Sequence, residues 1–312
     1  MKMSYSYPFP IDAKLTAVSL AYKNNAYIAD QILPRVQAPA ESFKYRVFPK
    51  ELYLTVPEAR IGRKGIPNEV ELSFNVETAS VEGYGLSEVI PVADIKATAQ
   101  DGFDLQSKTV AYLTELMTLG RERRMADLIF NARSYANSNV NTLAASSNFS
   151  AADSDPLKII DDGLRVPFFR PNVIVMGEQV FDVLKFHPKI IRTVYPYADA
   201  GGVVSAQQLA NILGVDKLLI GKARVNSANR GKSANIVSAW GKHIALLYIA
   251  PGAGLNDMPS FGMTAEYGTR QTMLIAEQNT GVEGAYRIRV TERLKELVMA
   301  PDLGYLIKDA VN

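Results

Sequence analysis

The chain lacks cysteine altogether and has only two histidines, His187 and His243, and one tryptophan, Trp240, in 312 residues. Without cysteine there is no disulfide framework, thiolate nucleophile, iron–sulfur cluster or cysteine zinc site. Two histidines with no partner at ligand spacing exclude His-rich metal sites and many acid–base schemes. An excess of one charge is also missing. Lys+Arg number 34 against 32 Asp+Glu, a net charge of +2, well short of the basic balance of a protein that coats nucleic acid. Long apolar runs are absent too: Ile244–Ala250 is far below the roughly 20 residues needed to span a bilayer. Pro8 and Pro10 interrupt the start, where a signal peptide would carry an apolar stretch. These absences lead to the expectation of a soluble chain from a reducing compartment, stabilised by packing or assembly. What remains is ordinary globular composition, 47% apolar and 21% charged, with length for roughly two domains at about 150 residues each.

Along the chain, Ala13–Asp30 has helical spacing with Asp12 as a plausible cap, and Pro34 and Pro39 then force an extended path. Phe43, Tyr45 and Val47, then Leu52, Leu54 and Val56, alternate with their neighbours, and Val70, Leu72, Phe74 and Val76 alternate with Glu71, Ser73, Asn75 and Glu77. Period-two alternation predicts two strands, and the basic tip at 57–68, punctuated by Gly and Pro, makes them a long hairpin. It is either part of an ordinary sheet or an arm that lies on a neighbouring copy, because an isolated hairpin is marginal in water.

Phe103–Arg133 has no proline and reads as one long helix, with Asp101 or Asp104 at its start. Its apolar stripe includes Leu105, Tyr112, Leu113, Leu116, Met117, Leu119, Leu128 and Ile129, and Arg121-Glu122-Arg123-Arg124 places a full turn of charge around it. A helix buried on every side cannot carry such a turn, so this one is expected to be wet on at least one face. After a Ser/Asn/Ala-rich stretch at 134–154, Asp155-Pro156 starts a short helix ending near Gly163. Alternating elements follow: strand 172–176, helix 178–186, helix 205–213 between Ser205 and Gly214, and strand 217–220. Ile236–Trp240 and Ile244–Tyr248 are expected to form a tight hairpin, Phe261–Tyr267 and Ala285–Glu292 to be strands, and the apolar C-terminus to be tucked into a sheet.

The motifs that carry chemistry fail one by one. Asn226–Ser233 ends in Gly-Lys-Ser but has Asn226 in place of the first phosphate-loop glycine and a strand after it, so a solvated turn accounts for it better. Gly83-Tyr84-Gly85 and Gly252-Ala253-Gly254 open like dinucleotide fingerprints, yet Glu88 and Asp257 stand where the third glycine belongs. Asp153, Asp155, Asp161 and Asp162 lack calcium-loop spacing. No catalytic residue, metal site or cofactor is therefore assigned. The basic features that stand out are Arg60, Arg63 and Lys64 at the hairpin tip and Arg121, Arg123 and Arg124 on the helix. They are a solvated surface, salt-bridge partners for an acidic patch on another copy, or contacts to enclosed nucleic acid. Glu58, Glu69 and Glu122 beside them favour ion pairing.

The order of these parts, with PFPIDAKLTAVSLAY, VPEARIGRKGIPNEVE, RPNVIVMG, WGKHIALLY and LGYLIKDAV, resembles the major capsid proteins of tailed bacteriophages. The resemblance implies an α+β fold of the Hong Kong 97 type. It divides the chain into an N-terminal arm (1–42), an extended loop (43–81), a peripheral domain with a spine helix (82–171, helix 103–133), an axial domain (172–286) and return strands (287–312). It further implies a non-enzymatic shell subunit that self-assembles into hexamers and pentamers around double-stranded DNA, in a virion built in the host cytoplasm, away from any membrane. A separate scaffolding protein, a portal and possible decoration proteins are its implied partners. Two readings stay open beside it: an encapsulin-type compartment, and an α/β enzyme using carboxylates with Lys/Arg.

Overall fold

The computed structural model describes residues 10–151, 153–195, 202–229, 231–252, 254–255 and 259–312. Residues 1–9 of the expected arm lie outside it, as do Arg230, Ala253, Asn256 and Asp257 of the tested motifs. The expected first helix is two. Helix α1 (Ala13–Ala21) starts as predicted on Asp12, whose carboxylate accepts the Leu15 N–H at 2.8 Å, and α2 spans Ala29–Ile32. Between them the Asn24 side chain accepts the Ala26 N–H, offering the backbone a turn in place of a helical bond.

Strands β1 (Arg35–Gln37) and β2 (Ser42–Val47), helix α3 (Lys50–Leu54) and strand β3 (Asn75–Ser80) follow. β2 and β3 pair antiparallel from Ser42–Ser80 to Val47–Asn75, so the base of the predicted hairpin is present. Its distal part differs. Leu52 and Leu54 lie in a helix, and 55–74 has no regular secondary structure. Alternation makes a strand only where a partner supplies the ladder, and no other described part of the chain reaches residues 55–74 with one.

β4 (Glu82–Pro91) leads through α4 (Val92–Gln100) to the long helix α5 (Leu105–Ile129), 25 residues and by rise about 37 Å. Of the two candidate caps, Asp104 is the one used: its carboxylate accepts the Ser107 N–H at 3.1 Å. The buried stripe of α5 is Val110, Leu113, Thr114, Met117, Arg121, Glu122, Met125, Ala126 and Ile129, at helical spacing. Tyr112 and Leu116, expected in that stripe, face solvent.

β5 (Val140–Thr142), α6 (Pro156–Leu164), β6 (Val173–Gly177), α7 (Glu178–Leu184), α8 (Pro188–Val194), α9 (Ala206–Leu213), β7 (Lys217–Gly221), β8 (Arg224–Asn226), β9 (Ile236–Ser238) and β10 (Ile244–Leu247) come next. β11 (Gly262–Glu266), β12 (Gln271–Glu277), β13 (Ala285–Val298) and β14 (Gly304–Lys308) complete the chain. Asp155 and Pro156 open α6, and Ser205 opens α9 through a reciprocal bond with Gln208, as the cap residues predicted. Gly214, at φ 64°, stops α9 in the left-handed region that favours glycine.

One sheet centres on β13, whose first half lies between β12 and β4 and whose second half pairs β11, with β1 outside β11. Helices α1 and α5 cover it through Leu15, Val110, Leu113 and Met117 against Ile90, Ile288 and Val290. The second sheet runs β5-β14-β10-β6-β7, its central strands buried on both faces. The expected segments 172–286 and 287–312 each contribute strands to both sheets. The short turn at Pro301–Leu303 carries the chain from β13 in one to β14 in the other, which does tuck the apolar C-terminus away. The expected hairpin of 236–240 with 244–248 is not formed. β9 pairs back on β8, while β10 lies between β6 and β14, because the fully apolar Ile244–Leu247 needs a strand on each side and a core on each face.

Trp240 is fully buried between these layers, on Gly221. A Cβ at 221 would sit 2.0 Å from Trp240 Cγ, with no open space to move into. Gly221→Ala should therefore destabilise the subunit by about 3 kcal/mol in urea unfolding, whereas Gly83→Ala, which meets nothing within 4 Å, should cost below about 1. Equal midpoints for the two would contradict this packing.

Candidate subunit-contact surface

Phe43 and Tyr45 root the extended loop. They point from β2 into a core of Leu255, Met263, Ala265, Leu297 and Met299, and the Tyr45 hydroxyl donates to Glu77 across the hairpin. Burial and that carboxylate push the Tyr45 phenol up to about 12. Further out, Phe48 packs edge-on to Tyr53 and Phe74, Tyr53 to Phe169, and Lys50 lies 3.6 Å from Asp302. Beyond that aromatic knot the loop leaves the body. Val56 and Ile66 are 91% and 87% exposed, and Ile61, Val70 and Leu72 are also exposed. Its bonds are internal: Asn68 Nδ2 donates to the Glu58 carbonyl at 2.7 Å, and the Gly65 N–H to the Gly62 carbonyl at 2.8 Å. Arg60, Arg63 and Lys64 stand exposed at this tip, and no described acidic side chain lies within ion-pair distance of them. This is a row of large apolar side chains in water with no core of its own, and exposed apolar patches of this kind are a general mark of interaction surfaces.

The charged turn of α5 behaves differently. Of its three arginines, Arg123 alone is exposed. Arg124 lies over the Tyr84 ring at 3.7 Å and 3.3 Å from Glu296. Arg121 is only 2% exposed. Its guanidinium donates to Asp30 and, at 3.2 Å, to Thr264 Oγ1. The ion pairs continue inward: Arg35 joins Asp30 at 2.7 Å and Glu266 at 2.9 Å, and Arg270 joins Glu292 at 2.9 Å. Burial works to raise the Asp30 carboxyl, but Arg121 and Arg35 outweigh it and hold it below the ordinary range. This overturns the expectation that the whole turn is surface. Arg121 is spent inside its own chain and leaves the set of contacts open to another copy.

Glu122, next to it, accepts the Ala29 N–H at 2.6 Å and Trp240 Nε1–H at 2.8 Å. Seven residues earlier, Glu115 accepts from Tyr22, Asn24 and Tyr27. Two carboxylates two turns apart thus strap residues 22–29 to the long helix. Burial raises the Glu122 carboxyl above its ordinary 4.5 despite these donors. A folded state that holds a proton the unfolded chain has lost is favoured by acid. Stability should therefore fall as pH rises from 4.5 through the raised value. Glu122→Gln should flatten that part of the profile in urea unfolding across the range. An unchanged slope would remove Glu122 as its source.

No protein-family model matches the chain. The major capsid protein of Pseudomonas phage JBD67 is 39% identical over 304 residues, covering 97% of this chain and 98% of that protein. The chain belongs to the phage major capsid proteins. That of Burkholderia phage BcepMu is 28% identical over 310 residues, with 95% of each chain covered. A phage-related protein from Bordetella bronchiseptica shares the fold at a TM-score of 0.76, with 21% identity over 97% of this chain and 98% of that one. The architecture is the Hong Kong 97-type capsid fold that the order of elements suggested, and the role is that of a structural capsid subunit.

For a capsid subunit the two basic clusters differ in kind: the loop tip and Arg123 face outward, while Arg121 and most of Arg124 organise the interior. The network partners Asp30, Glu266, Glu292 and Glu296 were not singled out from sequence. They come from three separate segments, with Glu292 and Glu296 both in β13, and only folding brings them into one network with Arg35, Arg270 and the arginines of α5. The histidines are structural in position. His187 sits at the start of α8 with Nε2 3.2 Å from Ser154 Oγ, its Nδ1 without a partner among the described residues. His243 accepts the Asp309 N–H on Nδ1 at 3.0 Å. Burial lowers both, so both are held neutral near pH 7. Ser154 and His187 thus touch with no third group among the described residues on the other ring nitrogen, unlike an oriented nucleophile–base pair.

Proposed function

We propose that this subunit builds an icosahedral shell of hexamers and pentamers that encloses double-stranded DNA, with its extended loop lying across a neighbouring copy. The observation that carries this reading is the loop itself. Residues 55–74 hold five exposed large aliphatic side chains, Val56, Ile61, Ile66, Val70 and Leu72, with no local core behind them. Burying each would contribute about 1.5–3 kcal/mol before the cost of ordering. Glu58, Glu69 and Glu71 flank Arg60, Arg63 and Lys64, and with Arg123 they offer rim charges that choose a partner's register more than they add affinity. The chain acts without catalysis, assembles in the host cytoplasm and ends in the virion. Scaffolding, portal and decoration proteins are the partners that such a shell would use.

Size-exclusion chromatography followed by negative-stain microscopy of the purified chain tests assembly, and nuclease digestion of the particles tests the contents. Megadalton particles holding nuclease-resistant DNA are expected. Particles without it would point to a cargo compartment, and a small discrete oligomer would overturn the shell.

A further inference from the structure

The modest net charge hides an uneven distribution. Between Asp216 and Asp257 lie forty residues with no acid and six basic side chains, Lys217, Lys222, Arg224, Arg230, Lys232 and Lys242; the rest of the chain has 28 basic against 32 acidic residues. The fold carries Lys222, Arg224 and Lys232 out with an exposed hairpin, β8–β9, that follows the outer strand β7 of the second sheet, whereas Lys217 lies in β7 and Lys242 lies 4.0 Å from Asp309. The hairpin is held stiffly at both ends. At its root the Ala239 N–H donates to the Ala223 carbonyl at 2.9 Å, Ala223 and Trp240 are buried, and Trp240 is bonded to Glu122 of the long helix. At its tip Asn226 Oδ1 accepts the Ala228 and Asn235 N–H groups at 3.0 Å, Asn235 Nδ2 donates to Ser227 Oγ at 2.9 Å, and Gly231 takes a φ of 83°.

Nearly all described residues from 226 to 237 are exposed. Lys222 and Lys232 have no described acid within ion-pair distance, and Arg224 reaches Glu178 only at 3.8 Å. Between Asn226 and Asn235 there is no side chain larger than alanine that is apolar; the tip is Asn, Ser, Gly, Arg and Lys. Protein interfaces rely on buried aromatic or aliphatic anchors, which this tip lacks. Phosphate contacts are made by Arg, Lys, Ser, Asn and backbone N–H groups, which it has.

We propose that the β8–β9 hairpin is a sequence-independent contact to the sugar-phosphate backbone of double-stranded DNA. The inference rests on the reading that the shell encloses DNA, and names the surface that meets it. The Gly-Lys-Ser rejected as a nucleotide loop is part of this surface, exposed to a polyanion's length rather than folded around one phosphate group.

The test uses the purified full-length subunit, a short duplex of arbitrary sequence, and anisotropy at several salt concentrations. The variant Lys222→Gln/Arg224→Gln/Lys232→Gln should reduce the slope of log affinity against log salt by about 2–3, close to 0.9 for each phosphate contact removed. It should keep its circular dichroism and still assemble. The control Arg60→Gln/Arg63→Gln/Lys64→Gln should leave the slope unchanged. An unaltered slope in the hairpin variant, or no duplex binding by the wild-type subunit, overturns the proposal. So does a folded hairpin variant that fails to form shells, because the hairpin would then be a contact between copies. Wild-type shells without nuclease-resistant DNA would instead sink the enclosure reading, and the slope would still judge the hairpin separately.

Discussion

Deleting residues 57–68 is expected to leave a folded subunit that no longer forms shells. The excised segment makes only internal hydrogen bonds among the described residues, such as Asn68 to Glu58 and Gly65 to Gly62. Its removal costs the fold no buried contact, so the stability change should stay below about 1 kcal/mol. The root survives intact, because Phe43, Tyr45 and the Phe48–Tyr53–Phe74 knot all lie outside the deletion. What disappears is Ile61, Ile66 and the basic tip, and with them the reach of the loop. Each copy in a shell repeats the same contact, so a loss of a few kcal/mol per copy multiplies into complete loss of assembly. Circular dichroism and urea unfolding would check the fold, and negative-stain microscopy the product. Shells from the deleted chain would remove the loop from assembly.

Arg121→Met should cost about 2–3 kcal/mol in urea unfolding of the unassembled subunit. Arginine at 121 is itself buried; it pairs with Asp30, whose side chain is exposed on its far side, and Glu296 lies 3.8 Å away with its side chain largely covered. Methionine fills much of the volume but removes the buried cation of the network, leaving Asp30 with Arg35 alone and the largely covered Glu296 with Arg124 alone. Arg123→Met, two residues along and exposed, should change stability by less than about 0.5 kcal/mol. Similar values for the two would mean that the network is solvated and that α5 does carry its charges on the surface.

Much of the frame was legible because it depends on local chemistry. Asp12, Asp104, Asp155 and Ser205 each cap the helix their position announced, and Gly214 ends α9 where a left-handed residue is needed. The long helix, the hairpin base, the strand at 173–177 and the buried C-terminal strand follow from period and apolar content alone. The errors share a cause. Leu52 and Leu54 alternate like a strand, yet no described ladder partner reaches them, and they coil into α3, whose Tyr53 packs on Phe169 and whose Lys50 lies beside Asp302. β9 and β10 are close in sequence and looked like a hairpin, but β10 has a better offer from β6 and β14 on either side. β12 went unread because its alternation matters only beside β13.

The sequence by itself determined that cysteine chemistry was out of reach, that a long helix and a segment of alternating apolar residues with a basic tip were present, and that acids are missing between Asp216 and Asp257. Those are properties of composition and period, carried by every segment before it meets another. Only the tertiary structure decided which charges are surface. Arg121 and Arg123 are indistinguishable in sequence, but a turn of 100° per residue points one at Asp30 and Glu296 and the other at water. Burial is a relation between distant segments, so whether a charged residue organises the interior or meets a partner is decided when the segments pack.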